Sequence, residues 1–240
     1  MDRGLYIAAT GMLAEFDRQN ALSNNLANIT TAGYKADDTT QRNFDEVLLE
    51  ERSSGRIVGT TSAGPMTAHV TRMSQGVLNQ TDNPLDVAIV GDGFLSVRDR
   101  GQVSYTRNGQ LTTNAQGQLT DAQGRQVMSR TGAPIQVGSD LNAVAIGQDG
   151  VVTVAGRRAG QLALTNLQNP VKTTDSLFRG RPAGQATGEI RQGSLETSNT
   201  DPTQTVIDMI ASQRTFEAGQ RTLRTIDETL QRAAQLAQVS

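Results

Sequence analysis

Leu85-Asp86-Val87-Ala88-Ile89-Val90, then Gly91-Asp92-Gly93, then Phe94-Leu95-Ser96-Val97 decides the class of the middle of this chain. Two short runs rich in apolar and β-branched residues flank an aspartate bracketed by glycines. That is the pattern of two strands joined by a tight turn. A phosphate-binding loop would need a third glycine and a following helix; here a strand-forming run follows instead. Outward from this point the punctuation repeats. Val103-Ser104-Tyr105-Thr106 precedes Asn108-Gly109, and Leu111 to Thr113 precedes Asn114-Ala115-Gln116-Gly117. Leu119-Thr120 precedes Asp121-Ala122-Gln123-Gly124, and short apolar runs follow at 127–128, 135–137, 144–146, 151–154 and 162–164. The Asn114 and Asp121 stretches lie seven residues apart and read as two consecutive tight turns, not as a solenoid period. From about Val70 to Leu195 no long helical period appears, so this region reads as hairpins of short strands.

On either side the pattern dissolves. Between Tyr34 and about Arg72, Phe44, Val47 and Leu48 could share a short helical face, while Ser53-Ser54-Gly55 and Ser62-Ala63-Gly64-Pro65 mark extended chain. The return path, Phe178 to Gly193, is rich in glycine and poor in apolar residues. Beyond these connectors both ends become helical. Leu5, Ala9, Met12, Phe16, Gln19, Leu22 and Leu26 recur at steps of three or four, and the helix should stop in Asn24-Asn25-Leu26-Ala27-Asn28. At the other end, Ser198, Asn199 or Thr200 can cap a helix whose first turn holds Asp201 and Pro202. There Val206, Met209, Gln213, Phe216, Gln220, Leu223, Asp227 and Leu230 follow heptad-like spacing. Periodicity alone leaves an internal helical hairpin and packing between molecules equally open. Polar residues at Gln19, Gln213, Gln220 and Asp227 suit a crowded array of helices better than an isolated seam.

The expected fold is α+β, with a central all-β domain flanked by N- and C-terminal helices that pack together as a coiled-coil-like discontinuous domain. The expected boundaries are 1–30 with 199–240 for the helical assembly domain, 31–72 with 178–198 for the connectors, and 73–177 for the β-rich domain.

Composition narrows the function. Aromatics are only 3% and Trp is absent, so the core must come from Val, Leu, Ile and Ala. A net charge of −2 with both signs scattered argues against a nucleic-acid surface. No cysteine is present, so thiolate chemistry and disulfides are excluded. No segment has the apolar length of a membrane span, and the opening residues lack the apolar run of a cleaved secretory signal. The lone histidine, His69, has no cluster of ligands around it in sequence. Asp82, Asp86 and Asp92 do not match a calcium loop. No catalytic, metal or cofactor residues are expected, and the chain is not read as an enzyme.

Three groups of residues then become specific together. Leu5-Tyr6-Ile7-Ala8-Ala9-Thr10-Gly11-Met12 and Asn24-Asn25-Leu26-Ala27-Asn28-Ile29-Thr30-Thr31-Ala32-Gly33-Tyr34-Lys35 resemble the N-terminal signature of bacterial flagellar rod and hook proteins. Gln75-Gly76, Asn83-Pro84-Leu85-Asp86-Val87-Ala88-Ile89 to Phe94, and Tyr105-Thr106-Arg107-Asn108-Gly109 are similar to the family's central motif. Gly193-Ser194-Leu195-Glu196-Thr197-Ser198-Asn199, Met209-Ile210 and Gln213-Arg214-Thr215-Phe216-Glu217 resemble its C-terminal motif. The opening Met1-Asp2-Arg3 leans towards the proximal-rod type, FlgF. The Gln213 to Glu217 stretch leans towards the distal-rod type, FlgG, so the position along the rod stays open.

The resemblance implies a structural subunit of the flagellar basal-body rod. Such subunits leave the cell through the flagellar export apparatus without signal cleavage. They polymerise helically into the torque-transmitting shaft, with the terminal helices forming its inner layer. The implied partners are copies of the chain, other axial rod and hook proteins and the export apparatus, with surrounding ring proteins as a further class. Neither nucleic acid nor membrane insertion is implied. The residues expected at the assembly interface are Leu5, Met12, Phe16, Asn24, Asn25, Leu26 and Asn28 in the first helix. In the last they are Met209, Ile210, Gln213, Phe216, Leu223 and Leu230. The alternative is a binding module whose β-domain contacts a ring or cell-wall component.

Overall fold

The computed structural model describes residues 2–42, 66–138, 140–174 and 176–238. The short helical face expected at Phe44, Val47 and Leu48, and the serine-glycine stretches after it, lie outside the described residues. The fold is α+β, and its described residues divide into two compact units.

The first unit comprises residues 1–27, 37–70 and 201–240. It holds helix α1 (Asp2–Ala27), helix α2 (Pro202–Gln238) and a two-stranded pair, β1 (Asp37–Arg42) with β2 (Met66–Thr71). Helix α2 starts at Pro202, whose missing N–H is no loss in a first turn. Its cap is Asp201, whose Oδ1 accepts from the backbone N–H groups of Thr203 at 2.9 Å and Gln204 at 3.1 Å. This corrects the cap position expected at Ser198 to Thr200, because Asn199 is already committed to the backbone of the other unit.

The second unit comprises residues 28–36 and 71–200. After β3 (Leu78–Gln80) and β4 (Val87–Val90) come β5 (Phe94–Asp99), β6 (Gln102–Thr106), β7 (Leu111–Thr113), β8 (Leu119–Asp121) and β9 (Gln126–Val127). A 3-10 turn (Leu141–Ala143) leads to β10 (Val144–Ile146), β11 (Val151–Val154) and β12 (Arg157–Gln161). The chain then builds β13 (Leu164–Lys172), β14 (Leu177–Gln185), β15 (Glu189–Gln192) and β16 (Ser194–Glu196). The stretch read as the returning connector, 178–198, thus carries the last three strands. Strand β15 pairs antiparallel with β4 and β16 with β3. These strands are apolar-poor because they bury few positions; in β15 the inward residue is Ile190, 2% exposed.

One seven-stranded sheet runs β13-β14-β6-β5-β9-β8-β7, and β13 also pairs with β5. Strands β5, β6, β14 and β13 therefore close on themselves. Each supplies one member of a small aromatic-rich core: Phe94, Tyr105, Phe178 and Leu167. The Phe94 and Phe178 rings lie 5.1 Å apart at a tilt of 51°, a favourable aromatic geometry. Burial pushes the Tyr105 phenol above its ordinary pKa. The larger core gathers Leu85, Val87, Ile89, Leu95, Val97, Leu119, Val127, Ile135, Val152 and Ile190. These are the β-branched and leucine residues on which the sequence pattern rested, each worth about 1.5–3 kcal/mol when fully buried.

The two similar turns have the same hydrogen-bond pattern. Asn114 Oδ1 accepts from the N–H groups of Gln116 and Gln118, and Asp121 Oδ1 accepts from those of Gln123 and Arg125. Gly117 and Gly124 take φ of 72° and 79°, the left-handed region where a Cβ is unfavourable. Asp121 is fully buried and also accepts from Arg125 Nε at 2.5 Å. Asp121→Ala should therefore cost about 2–3 kcal/mol in urea unfolding, against about 1 kcal/mol for Asn114→Ala. Equal losses would mean that the Arg125 ion pair adds nothing.

Candidate assembly surface and chain crossover

Within the helical unit, α1 and α2 meet through small side chains. Ala14, Ala21 and Asn25 of α1 are 3%, 6% and 4% exposed, and Thr205 and Ser212 of α2 are 7% and 1% exposed. Ser212 Oγ donates to Glu15 Oε2 at 2.6 Å, and a Cβ at Gly219 would lie 2.8 Å from Met12 Cγ. Residue 15 opposite 212 and residue 12 opposite 219 make the two helices antiparallel. Thr205, Ser212 and Gly219 recur every seven residues, and small residues at a contact let helix axes approach closely. Asn25 ties the end of α1 to β1 twice: its Nδ2 donates to Asp37 O and its Oδ1 accepts from Asp37 N, each at 2.9 Å.

Several large apolar residues are exposed. Leu13 is 65% exposed and Phe16 53%, while on α2 Val206, Ile207 and Ile210 are 41%, 54% and 48% exposed. Of the residues expected at the interface, Met12, Leu26, Met209, Phe216 and Leu223 are half-buried. Asn24 is exposed, and Gln213 is exposed with its Nε2 donating to Glu217 Oε1 at 3.4 Å. Asn28, just past α1, accepts from the Thr31 hydroxyl at 3.1 Å. The side chains of Leu5 and Leu230 lie outside the described residues. Gln19 is half-buried, and its Nε2 is shielded without a hydrogen-bond partner among the described residues. On α2 the half-buried Met209, Phe216 and Leu223 of the heptad-like stripe alternate with Thr205, Ser212 and Gly219 on one face, while its polar members Gln213, Gln220 and Asp227 are exposed.

In the β-rich unit, the motif segments from the two ends and the middle converge on one carboxylate. Lys35 and Glu196, 161 residues apart, have fully buried side chains, and Lys35 Nζ donates to Glu196 Oε1 at 2.5 Å. The same Oε1 accepts from Gly76 N at 2.8 Å, and Glu196 Oε2 lies 3.5 Å from Arg107 Nη1. Arg107 also donates to Gly91 O at 2.8 Å, with its guanidinium carbon 5.3 Å from the centre of the Phe94 ring. Burial pulls the Lys35 ammonium below its ordinary pKa and the Arg107 charge adds to that, while the hydrogen bond and charge of Glu196 oppose it.

Backbone contacts complete the crossover. Gly33 N donates to Glu196 O at 2.7 Å, and Ala36 N donates to Asn199 Oδ1 at 2.7 Å. Asn199 Nδ2 donates to the Arg72 and Ser74 carbonyls. Lys172 Nζ caps the Lys35 carbonyl at 2.8 Å and sits 3.7 Å from the centre of the Tyr34 ring. Gly33 has φ of 66°, and a Cβ there would overlap the Arg107 carbonyl; one at Gly76 would overlap the Thr197 carbonyl. No pairing of these charges was derived from the sequence. The available signal was that Lys35, Arg107 and Glu196 are each the sole charge in their motif stretches, 24–35, 105–109 and 193–199.

Among the described residues no group of His, Asp and Glu could hold a metal ion, and no helix is long and apolar enough to cross a membrane.

The comparisons follow the same three segments. Residues 5–35 match the family described as flagella basal body rod protein. Residues 88–154 match the flagellar hook protein FlgE/F/G D1 domain, and residues 191–236 the flagellar basal body rod FlgEFG protein C-terminal family. The chain is 32% identical to the flagellar basal-body rod protein FlgG of Agrobacterium fabrum, covering 94% of this chain and 96% of that one. It is 31% identical to the flagellar hook-basal body complex protein FlhO of Bacillus subtilis, covering 98% of each chain. It is 29% identical to the flagellar basal-body rod protein FlgF of Caulobacter vibrioides, covering 91% of each. Family motifs in order along the chain, and relatives matched over nearly their whole length, lead to one conclusion: this chain belongs to the flagellar basal-body rod protein family, as a structural subunit of the rod.

Proposed function

We propose that the chain polymerises through its helical unit, which packs in coiled-coil-like fashion against the helices of neighbouring copies and other axial subunits. The wall built in this way is the inner layer of the rod and transmits torque. The β-rich unit braces neighbours outside it, and the subunit reaches its place through the flagellar export apparatus. The helical unit thereby acts as the discontinuous assembly domain foreseen at 1–30 and 199–240.

One observation carries this reading. The two helices spend their small residues on each other and leave Leu13, Phe16, Ile207 and Ile210 on the outside. Such apolar surface on helices is stable in water mainly when a neighbour covers it. An interface repeated head to tail without closing a ring gives an open helical polymer. Both FlgF and FlgG relatives match over most of their length, so the level of the rod stays open in this proposal.

The test is a chain ended after Thr200, which keeps every residue of the β-rich unit but removes α2. It should retain the β-rich far-UV spectrum and cooperative unfolding of that unit, yet fail to complete rods when it is the only copy in the cell. Normal rods and motility from that truncation would sink the proposal.

A further inference from the structure

The sequence holds a single Asn-Gly pair, Asn108-Gly109, in the segment between β6 and β7. An asparagine before glycine is the arrangement in which the next backbone nitrogen most readily attacks the side-chain amide, since glycine has no Cβ to hinder the approach. Here the fold calls for both residues. A Cβ at Gly109 would lie 1.7 Å from the Val87 carbonyl oxygen, so only glycine fits. Asn108 Oδ1 accepts from Gln110 N at 2.9 Å, a bond that an apolar side chain could not supply.

The same contacts hold the reaction back. Asn108 is 5% exposed and Gly109 is buried, so water and base have little access to the Gly109 N–H. Ring closure must swing the Asn108 carboxamide and turn the peptide between 108 and 109. The carboxamide is held by Gln110 N. The chain before it is held by Asn108 N, which donates to Thr106 Oγ1 at 3.0 Å, and by Gly33, where a Cβ would lie 2.5 Å from Asn108 N. The chain after it is held by Val87 N donating to Gly109 O at 2.9 Å and by the bridge between Asp86 and Gln110. All of these residues belong to the β-rich unit.

We infer that Asn108 is a modification site guarded by the fold, converted to aspartate or isoaspartate while the chain is unfolded and protected once the β-rich unit has formed. Gly109 N gives its proton to solvent and attacks Asn108 Cγ. The N–Cγ bond forms, the Cγ–Nδ2 bond breaks, and Nδ2 leaves as ammonia, taking up a proton from solvent. Water then opens the cyclic imide at either carbonyl. Isoaspartate routes the main chain through the side-chain carbons and adds a methylene before Gly109 N. Gly109 O could then not stay on Val87 N while Asn108 N stays on Thr106 Oγ1 and against Gly33. An ordinary aspartate keeps the acceptor for Gln110 N and does less harm. For a subunit that travels unfolded, as the assembly reading implies, the pair limits how long a chain can wait and still fold.

The test holds the whole chain either native or unfolded in guanidinium chloride, at the same mildly alkaline pH and temperature. Conversion at each asparagine is followed by peptide mass spectrometry, with fragmentation that separates aspartate from isoaspartate. In the unfolded chain Asn108 should convert well ahead of Asn166, which precedes leucine. In the native chain Asn108 should convert about 100-fold or more slowly, since folded proteins are open in only about 10⁻³–10⁻⁶ of molecules. After partial conversion and dilution out of denaturant, isoaspartate at 108 should be lost from the native pool and collect in the chains that fail to refold. Comparable rates in the native and unfolded chains, or no lead of Asn108 over Asn166 in the unfolded one, would overturn the assignment. Isoaspartate at 108 shared equally between the refolded and unrefolded pools would overturn its consequence for folding. Failure here leaves the helix-based assembly standing, and failure of the Thr200 truncation test leaves the chemistry at Asn108 untouched.

Discussion

Glu196→Gln should lower the unfolding free energy of the β-rich unit by about 3–5 kcal/mol, the range for breaking a buried ion pair from one side. The substitution keeps shape and volume but removes the negative charge from between two buried cations. Lys35 Nζ then faces a neutral amide, and the Arg107 guanidinium loses the only carboxylate within ion-pair distance among the described residues. Folded domains hold about 5–15 kcal/mol in total, so such a loss takes a large share. Lys35→Met should cost less. It removes one of the two cations, and Glu196 retains both the Gly76 N–H and the Arg107 charge. The order of the two losses, measured in urea, is the informative result. A loss below about 1 kcal/mol for Glu196→Gln, or a larger one for Lys35→Met, would show that the crossover is held by its backbone contacts alone.

The second large effect is on assembly. Phe16→Ser combined with Ile210→Ser should abolish rod completion and motility. Each change should alter the stability of the free chain by no more than about 0.5 kcal/mol, as at ordinary surface positions. Both side chains are about half exposed, so the single chain gains little from them. Covered by neighbours, each would contribute about 1.5–3 kcal/mol, a gain repeated in every copy of a polymer. Ser212→Leu should behave in the opposite manner. Ser212 is 1% exposed in the α1–α2 seam, and a larger side chain there forces the helices apart at a cost of about 1–3 kcal/mol in the free chain. A double variant that assembles normally would remove Phe16 and Ile210 from the interface.

The parts legible in the sequence share a physical cause. Strands β4, β5, β6, β10 and β11 bury β-branched residues and end at Gly, Asn or Asp turns, so pattern and packing agree. Strand β12, Arg157-Arg158-Ala159-Gly160-Gln161, was not foreseen because its pairing is carried by backbone groups and its side chains are largely exposed. The exposed arms of β13 and β14 escaped for the same reason.

The helices were legible, and on α2 the apolar stripe residues Met209, Phe216 and Leu223 fall on the face that carries Thr205, Ser212 and Gly219. Hydrophobic periodicity does not single out Ala14, Ala21, Thr205, Ser212 and Gly219, the small residues at which the helices meet most closely. The helical unit's terminal segments are 1–27 and 201–240. Residues 28–36 and 197–200 join the β-rich unit because Gly33, Ala36 and Asn199 spend their hydrogen bonds there. The Lys35–Glu196–Arg107 cluster needed the fold itself, since nothing in spacing brings residues 35, 107 and 196 together. In retrospect, a single charge inside each otherwise uncharged motif was the available clue.

The most direct test of the account is the structure of this subunit within an intact basal body, at a resolution that shows side chains. The account predicts Leu13, Phe16, Ile207 and Ile210 buried against helices of other subunits, with Ala14, Ala21 and Ser212 still facing each other within one chain. Those four side chains facing solvent, with subunits joined only through their β-rich units, would contradict it.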